Sequence, residues 1–162
     1  EGYTLKERYH TLYLSETNEA SFTAPDNGIF NAISGNIRLI QNGDPISITD
    51  VENEYLMKRH PRTAVGFDEA GKTLIIVVVD GRQPNYSEGA TIPELIEVML
   101  GFRVFEGINL DGGGSSTLVI EGEQGQAVVL NSPIHNRIPG RERPIANHLG
   151  VYTERLNQVE HE

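Results

Sequence analysis

The spacing of apolar positions changes several times along the chain, and each change marks an element. Over residues 1–31 the pattern is weak. His10 to Leu14 predicts one strand there, and Thr23 to Gly28 reads as a loop. From residue 32 the punctuation sharpens. Ile37 to Ile40 predicts a short strand closed by the turn Asn42-Gly43-Asp44. Arg62 to Phe67 predicts another, turned by Glu69-Ala70-Gly71-Lys72 into the run Thr73 to Val79. That run is almost continuously apolar, which predicts a strand covered on both faces. Asp80-Gly81-Arg82-Gln83-Pro84 breaks it. The period then becomes helical: Leu95, Ile96, Val98, Met99 and Phe102 fall on one face, Thr91 and Glu94 fit a capping box, and Pro93 suits the first turn. Gly101 and Gly107 bracket its end. Ile108 to Leu110 predicts a strand cut by glycines, Thr117 to Ile120 and Ala127 to Leu130 a hairpin, and Ala146 to Tyr152 a last strand after a loop from Asn131 to Arg143.

These elements sum to an α+β domain, a mostly antiparallel sheet with one or two packed helices. Seventeen Gly and eight Pro agree with tight turns between short strands. The chain divides into a poorly patterned N-terminal segment (1–31), a main unit (32–153) and a polar tail (154–162). A length of 162 residues suits one domain.

Composition removes several function classes. There is no Cys, which excludes a disulfide scaffold, a thiol nucleophile and Cys-ligated zinc. Asp+Glu 23 against Lys+Arg 13 gives a formal net charge of −10, which disfavours binding to nucleic acid or anionic lipid. The longest strongly apolar run, Leu74 to Val79, is too short to span a bilayer. The start, Glu1-Gly2-Tyr3-Thr4, lacks a signal peptide's basic and apolar stretches, and it also lacks an initiator Met, so a processed or trimmed product is expected.

The sharpest chemical feature is Asn109-Leu110-Asp111-Gly112-Gly113-Gly114-Ser115-Ser116-Thr117. A carboxylate at a strand end is followed by three glycines and three hydroxyls. Glycines let successive N–H groups point one way, forming a nest for an anion. A Walker A loop is excluded, because no Lys follows the glycines and a strand comes next. A serine-nucleophile elbow is excluded, because no Gly follows the serine at the required place. Asp80-Gly81-Arg82 ends the most apolar strand, where a rigid element can hold polar groups at a cleft; a solvated turn is the plainer alternative. Arg62-Thr63 opens a strand, and Arg137, Arg141 and Arg143 form a basic stretch in an acidic protein. Arg suits phosphate or carboxylate through its planar fork of donors. The five histidines are scattered without metal-ligand spacing.

Four blocks together resemble the phosphodiester glycosidase family. They are Arg62-Thr63-Ala64-Val65-Gly66; Val78-Val79-Asp80-Gly81-Arg82-Gln83-Pro84 with Tyr86-Ser87-Glu88-Gly89; the Asn109 to Thr117 block; and Arg143-Pro144-Ile145-Ala146-Asn147. The resemblance covers about Ala32 to Tyr152. The family's upstream Asn-Gly-x-aromatic-aromatic segment has only a faint echo in Asn27-Gly28-Ile29-Phe30. The chain is therefore expected to be the C-terminal portion of a domain, completed by a second chain or a cleaved N-terminal fragment.

The resemblance implies a hydrolase that releases a sugar, GlcNAc-like, from a sugar-1-phosphodiester of a phosphoglycan or cell-surface polysaccharide by C–O cleavage. A phosphate leaving group has a later pKa of about 6, so cationic and N–H donors matter more than a strong acid. Asp111, then Asp80, are the expected catalytic carboxylates. Arg62, Thr63, Arg82, Gly112, Gly113, Gly114, Ser115, Ser116, Thr117, Arg143 and Asn147 are the expected substrate contacts. No metal or other cofactor is expected: a calcium ion at Asp80 or Asp111 would lack ligands. The expected setting is extracellular, secreted or virion-associated, with no nucleic-acid partner and no membrane span. Two alternatives stay open: a non-catalytic phosphoglycan-binding or structural module, and a metal-assisted phosphodiesterase cutting P–O, which the scattered histidines disfavour.

Overall fold

The computed structural model describes residues 10–153 apart from 18, 27 and 49–52. The expected tail and the first nine residues lie outside the described residues. In chain order the elements are β1 (His10–Leu14), β2 (Ala20–Ser21), β3 (Asn31–Gly35), β4 (Ile37–Gln41), β5 (Asp44–Pro45), α1 (Glu54–Met57), β6 (Arg62–Phe67), β7 (Leu74–Val79), α2 (Ile92–Gly101), β8 (Glu106–Asn109), β9 (Val119–Glu121), β10 (Ala127–Val129), β11 (Ile134–His135) and β12 (Ile138–Pro139). A 3₁₀ turn, Gly113–Ser115, lies between β8 and β9. The fold is α+β and dominated by antiparallel sheet.

The main sheet has the order β5-β4-β8-β6-β7, with every neighbouring pair antiparallel. A second antiparallel sheet has the order β2-β1-β3. Side chains alternate across a strand, so β6 sends Ala64 to one face of the main sheet and Val65 to the other. On the first face α2 packs with Ile92, Leu95, Ile96 and Met99 against Leu39, Ile40 and Val104. On the second, Val65 and Ile108 meet Leu12 of β1, with Ile33 of β3 and Leu149 packed alongside. The main sheet is thus a middle layer. Its strands deliver the ends of β6, β7 and β8 to one rim, where the motifs lie.

The helix forms as its sequence dictates. The Thr91 hydroxyl accepts from the Glu94 amide, and the Glu94 carboxylate accepts from the Thr91 amide, closing a capping box. Arg59 also pairs with Glu94, and this bond, followed by that of the Thr91 amide, holds the Glu94 carboxyl down at about 2.

Several expectations need correction. Val98 and Phe102 are exposed, because they stand off the stripe that Ile92, Leu95, Ile96 and Met99 turn to the sheet. β7 does contact apolar clusters on both faces, through Ile75, Val77 and Val79 on one and Ile76 on the other. It is an edge strand, however, so none of its residues is fully buried. Residues 146–152 form no strand. Leu149 packs onto the second core cluster, while Val151 and Tyr152 face solvent, so the segment lies against a sheet face and not along an edge. The expected loop from Asn131 to Arg143 contains the β11–β12 hairpin. Its turn residues Asn136 and Arg137 both have positive φ, without the glycine that usually signals such a turn.

Replacing the cap, Thr91→Ala, is expected to lower stability by about 1 kcal/mol, read as a smaller urea midpoint at unchanged slope.

Candidate active site

The site is built around a backbone crossing. His60 and Ala90 exchange backbone hydrogen bonds of 3.2 and 3.0 Å, which fixes His60-Pro61 against the end of the β7–α2 connection. Three glycines admit this crossing. A Cβ at Gly89 would lie 2.4 Å from the His60 carbonyl, one at Gly81 2.7 Å from the Pro61 nitrogen, and one at Gly112 2.7 Å from the Pro61 oxygen. Loops distant in sequence therefore meet with backbone touching backbone, which no larger residue permits.

The crossing brings Arg82 to the glycine turn. Gly113 has φ +64°, and a Cβ there would lie 3.1 Å from both terminal nitrogens of Arg82. Arg82 Nη2 donates to His60 Nδ1 at 3.3 Å, which places the imidazole proton on Nε2. Burial lowers the pKa of His60, and the charges of Arg82, Arg62 and Lys58 lower it further, so the neutral ring is favoured.

Asp111 stands at the rim with its side chain 79% exposed. Its Oδ1 accepts from the Gly112 amide at 2.9 Å. Its Oδ2 accepts from the Ser115 hydroxyl at 2.7 Å and from Arg143 Nη2 at 3.0 Å. Arg143 Nη2 also contacts the Ser115 hydroxyl. Asp111 and Arg143 stand where two cavities join. One is a polar cleft of about 250 Å³, lined by Tyr55, His60, Pro61, Arg62, Arg82, Gly112, Gly113 and Gly114 as well as Asp111 and Arg143. The other is a groove of about 550 Å³, lined by Thr63, Ser115, Thr117 and Asn147 together with many apolar residues. Among the described residues lining either space, Asp111 is the one carboxylate.

The remaining expected residues have other employment. Asp80 lines neither space. Its Oδ1 accepts from Asn131 Nδ2 at 2.8 Å, and its Oδ2 accepts from the Ser132 amide at 2.9 Å and the Tyr86 hydroxyl at 3.0 Å. Asn131 in turn donates to the Ser116 carbonyl and accepts from the Leu118 amide, so Asp80 braces the strap beside the glycine turn. Arg62 lines the polar cleft but is 1% exposed. Its Nε donates to the Ala90 carbonyl and its Nη2 to those of Tyr55 and Lys58, with the guanidinium over the Tyr55 ring at 4.8 Å. Burial lowers its pKa, opposed by Tyr55. Ser116 is buried and accepts from the Thr63 hydroxyl at 3.2 Å, so it presents no hydroxyl to a ligand. Arg137 and Arg141 line neither space.

The expected anion nest is also altered. The Gly112 amide donates to Asp111, Gly113 to the Pro61 carbonyl, Ser115 to the Gly112 carbonyl and Ser116 to the Gly113 carbonyl. That leaves the Gly114 amide for a ligand. Sequence reasoning had set His60 aside with the other histidines. Its only signal was adjacency to Pro61 and the Arg62 block, and its role depends on a contact across 22 positions.

Two outcomes follow. Asp80→Ala removes three bonds to one carboxylate and is expected to destabilise the fold by about 2 kcal/mol or more in denaturant unfolding. For His60, a lowered folded pKa means that its stabilising contribution is complete above the ordinary value of about 6.5 and is lost as pH falls below it. His10 shifts the same way, chiefly by burial. His60→Asn is therefore expected to flatten only part of the fall in stability on the acid side of 6.5, measured as urea midpoint against pH.

Comparison with known proteins adds identity to this geometry. The family model for phosphodiester glycosidase matches residues 6–152. The chain is 32% identical over 124 residues to N-acetylglucosamine-1-phosphodiester alpha-N-acetylglucosaminidase of Bos taurus, covering 69% of the chain and 23% of that protein. It is 31% identical over 124 residues to an uncharacterized SPbeta prophage-derived protein of Bacillus subtilis, covering 76% of the chain and 18% of that protein. The chain thus spans about a quarter or less of these relatives' length. In fold it is similar to the zebrafish N-acetylglucosamine-1-phosphodiester alpha-N-acetylglucosaminidase catalytic domain auto-inhibited by pro-peptide, with TM-score 0.60, 24% identity, and coverage of 76% of this chain and 44% of that one. With all but fifteen residues of its length matched by one family model, the chain belongs to the phosphodiester glycosidase family.

Proposed function

We propose that the chain carries the active centre of a hydrolase that releases a GlcNAc-like sugar from a sugar-1-phosphodiester by cleaving the anomeric C–O bond. The observation that carries this reading is Asp111, the one carboxylate among the described residues lining the cleft, in contact with Arg143 and sharing the cleft with Arg82, which lies beside Gly113. Ordinary glycosidases place two carboxyl groups around the bond, one of them protonating the leaving oxygen. A phosphate leaving group is stable as an anion and needs positive charge and N–H donors in place of that acid.

The roles follow from position. Phosphate oxygens are received by Arg82, Arg143 and the Gly114 amide. Asp111 faces the anomeric carbon. Arg143 shares Asp111 Oδ2 with Ser115, so it can hold the carboxylate and meet a phosphate at once. Thr63, Thr117 and Asn147 line the adjoining groove as partners for sugar hydroxyls. Water supplies the oxygen that ends on the sugar, and the phosphomonoester departs with the original bridging oxygen. Arg62, Asp80 and Ser116 act as supports. The substrate is a phosphoglycan or exposed polysaccharide, and we place the work outside the cell or on a virion. Among the described residues no helix is long and apolar enough to cross a membrane.

The test is incubation with a GlcNAc-1-phosphoalkyl diester in ¹⁸O-water. Free sugar bearing the label is expected; label in the phosphate would mean P–O cleavage and overturn the reading. Asp111→Asn is expected to lower the rate about 100-fold or more, and Arg82→Ala by a similar factor with folding intact. Calorimetric binding without sugar release would instead identify a phosphoglycan-binding module.

A further inference from the structure

The larger cavity has more lining than a sugar and a phosphate use. Besides the polar residues Thr63, Asp111, Ser115, Thr117, Arg143, Asn147 and His148, its lining is apolar and includes Ile33, Ile76, Val78, Leu118, Ile145 and Leu149. These come from three places: the β3 and β7 strands of two sheets, the segment entering β9, and the 144–149 segment that lies against the sheet face. At about 550 Å³ the groove is of the size that encloses a drug-sized ligand, and twice the polar cleft's 250 Å³.

We infer that this groove is a subsite for a linear aliphatic chain, alkyl or prenyl, esterified to the same phosphate whose other ester is the sugar. The inference rests on the phosphodiester reading of the site and changes its second ester from a glycan to a lipid chain. Its ground is the shared boundary: Asp111 and Arg143 line both spaces, so a phosphate held by Arg143 has its ester arms leaving past Asp111. The sugar arm stops there, because its anomeric carbon must meet the carboxylate. The hydroxyl and amide partners at hand, Thr63, Thr117 and Asn147, are few. The other arm continues along apolar walls, where a polar aglycone would lose its hydration without replacement. A groove that is charged where it adjoins the polar cleft and mostly apolar in the rest of its lining matches an amphiphile, with binding that grows with the apolar area covered.

The experiment is calorimetry on the chain with inorganic phosphate and with butyl, hexyl and octyl phosphate below their micellar concentrations. Affinity is expected to rise from butyl to octyl by at least tenfold, since each fully buried methylene contributes about fourfold. Val119→Asn and Ile145→Asn, at the groove wall and outside the phosphate contacts, are expected to flatten that rise while leaving inorganic phosphate binding unchanged. Equal affinity for inorganic phosphate and every alkyl phosphate would overturn the subsite and leave the phosphate site standing. A rise with chain length in the Arg82→Ala variant alongside no phosphate binding by the parent would overturn the phosphodiester reading. Absence of binding by all four ligands would overturn both.

Discussion

One steric constraint governs this molecule: the segment His60-Pro61 runs in backbone contact with two other loops, the β7–α2 connection and the turn after β8. Gly81, Gly89 and Gly112 each leave a gap that a single methyl group would close. Their convergence sets the ends of β6, β7 and β8 on one rim and fixes the distance between Arg82 and the glycine turn. The sheet supplies stiffness through strand pairing, but it is the crossing that turns three separate strand ends into one cleft. Added bulk at these glycines would leave the hydrophobic layers intact and separate the charges that they bring together.

Around that crossing the charged groups divide by position: Arg62 is buried, Asp80 is half-buried and lines neither cavity, and Asp111, Arg82 and Arg143 line the cleft. Arg62 and Asp80 are surrounded by carbonyls, amides and a hydroxyl, and their hydrogen-bonding capacity goes into joining segments. Asp111 accepts as many hydrogen bonds as Asp80, but it lines the cleft together with Arg82 and Arg143, where a ligand can replace water. The division has a physical cause. A buried charge must be hydrogen-bonded to the protein itself, and once it is, it cannot also serve an incoming molecule. Sequence blocks that look uniform in chemistry thus split into supports and contacts according to depth.

The chemistry inherits this asymmetry. A cleft with one open carboxylate and two guanidinium groups is poorly equipped to protonate an alkoxide and well equipped to receive an anion. Its neutral histidine works through Arg82, accepting a hydrogen bond that orients the guanidinium towards Gly113. The adjoining groove extends the same logic, with charge at the reacting end and apolar walls beyond.

Much of this was legible in the chain. The helix followed from Thr91, Glu94 and a 3.6-residue stripe, because capping and amphipathic spacing are local. The strands of the main sheet followed from short β-branched runs between turn residues, and the three consecutive glycines beside Asp111 announced a backbone that must bend tightly. Other features were hidden because their causes are not local. Ala146 to Tyr152 has the composition of a strand, yet pairing requires a free edge in reach, and the described segment lies against a face. The turn at Asn136-Arg137 has no glycine to mark it. Sequence determined which residue types could serve a sugar phosphate and roughly where the strands would end. Tertiary structure decided which arginine and which aspartate stay open, because exposure is a property of the packed layers: neighbours distant in sequence fill the surroundings of Arg62 and Asp80 and leave those of Arg82 and Asp111 facing solvent.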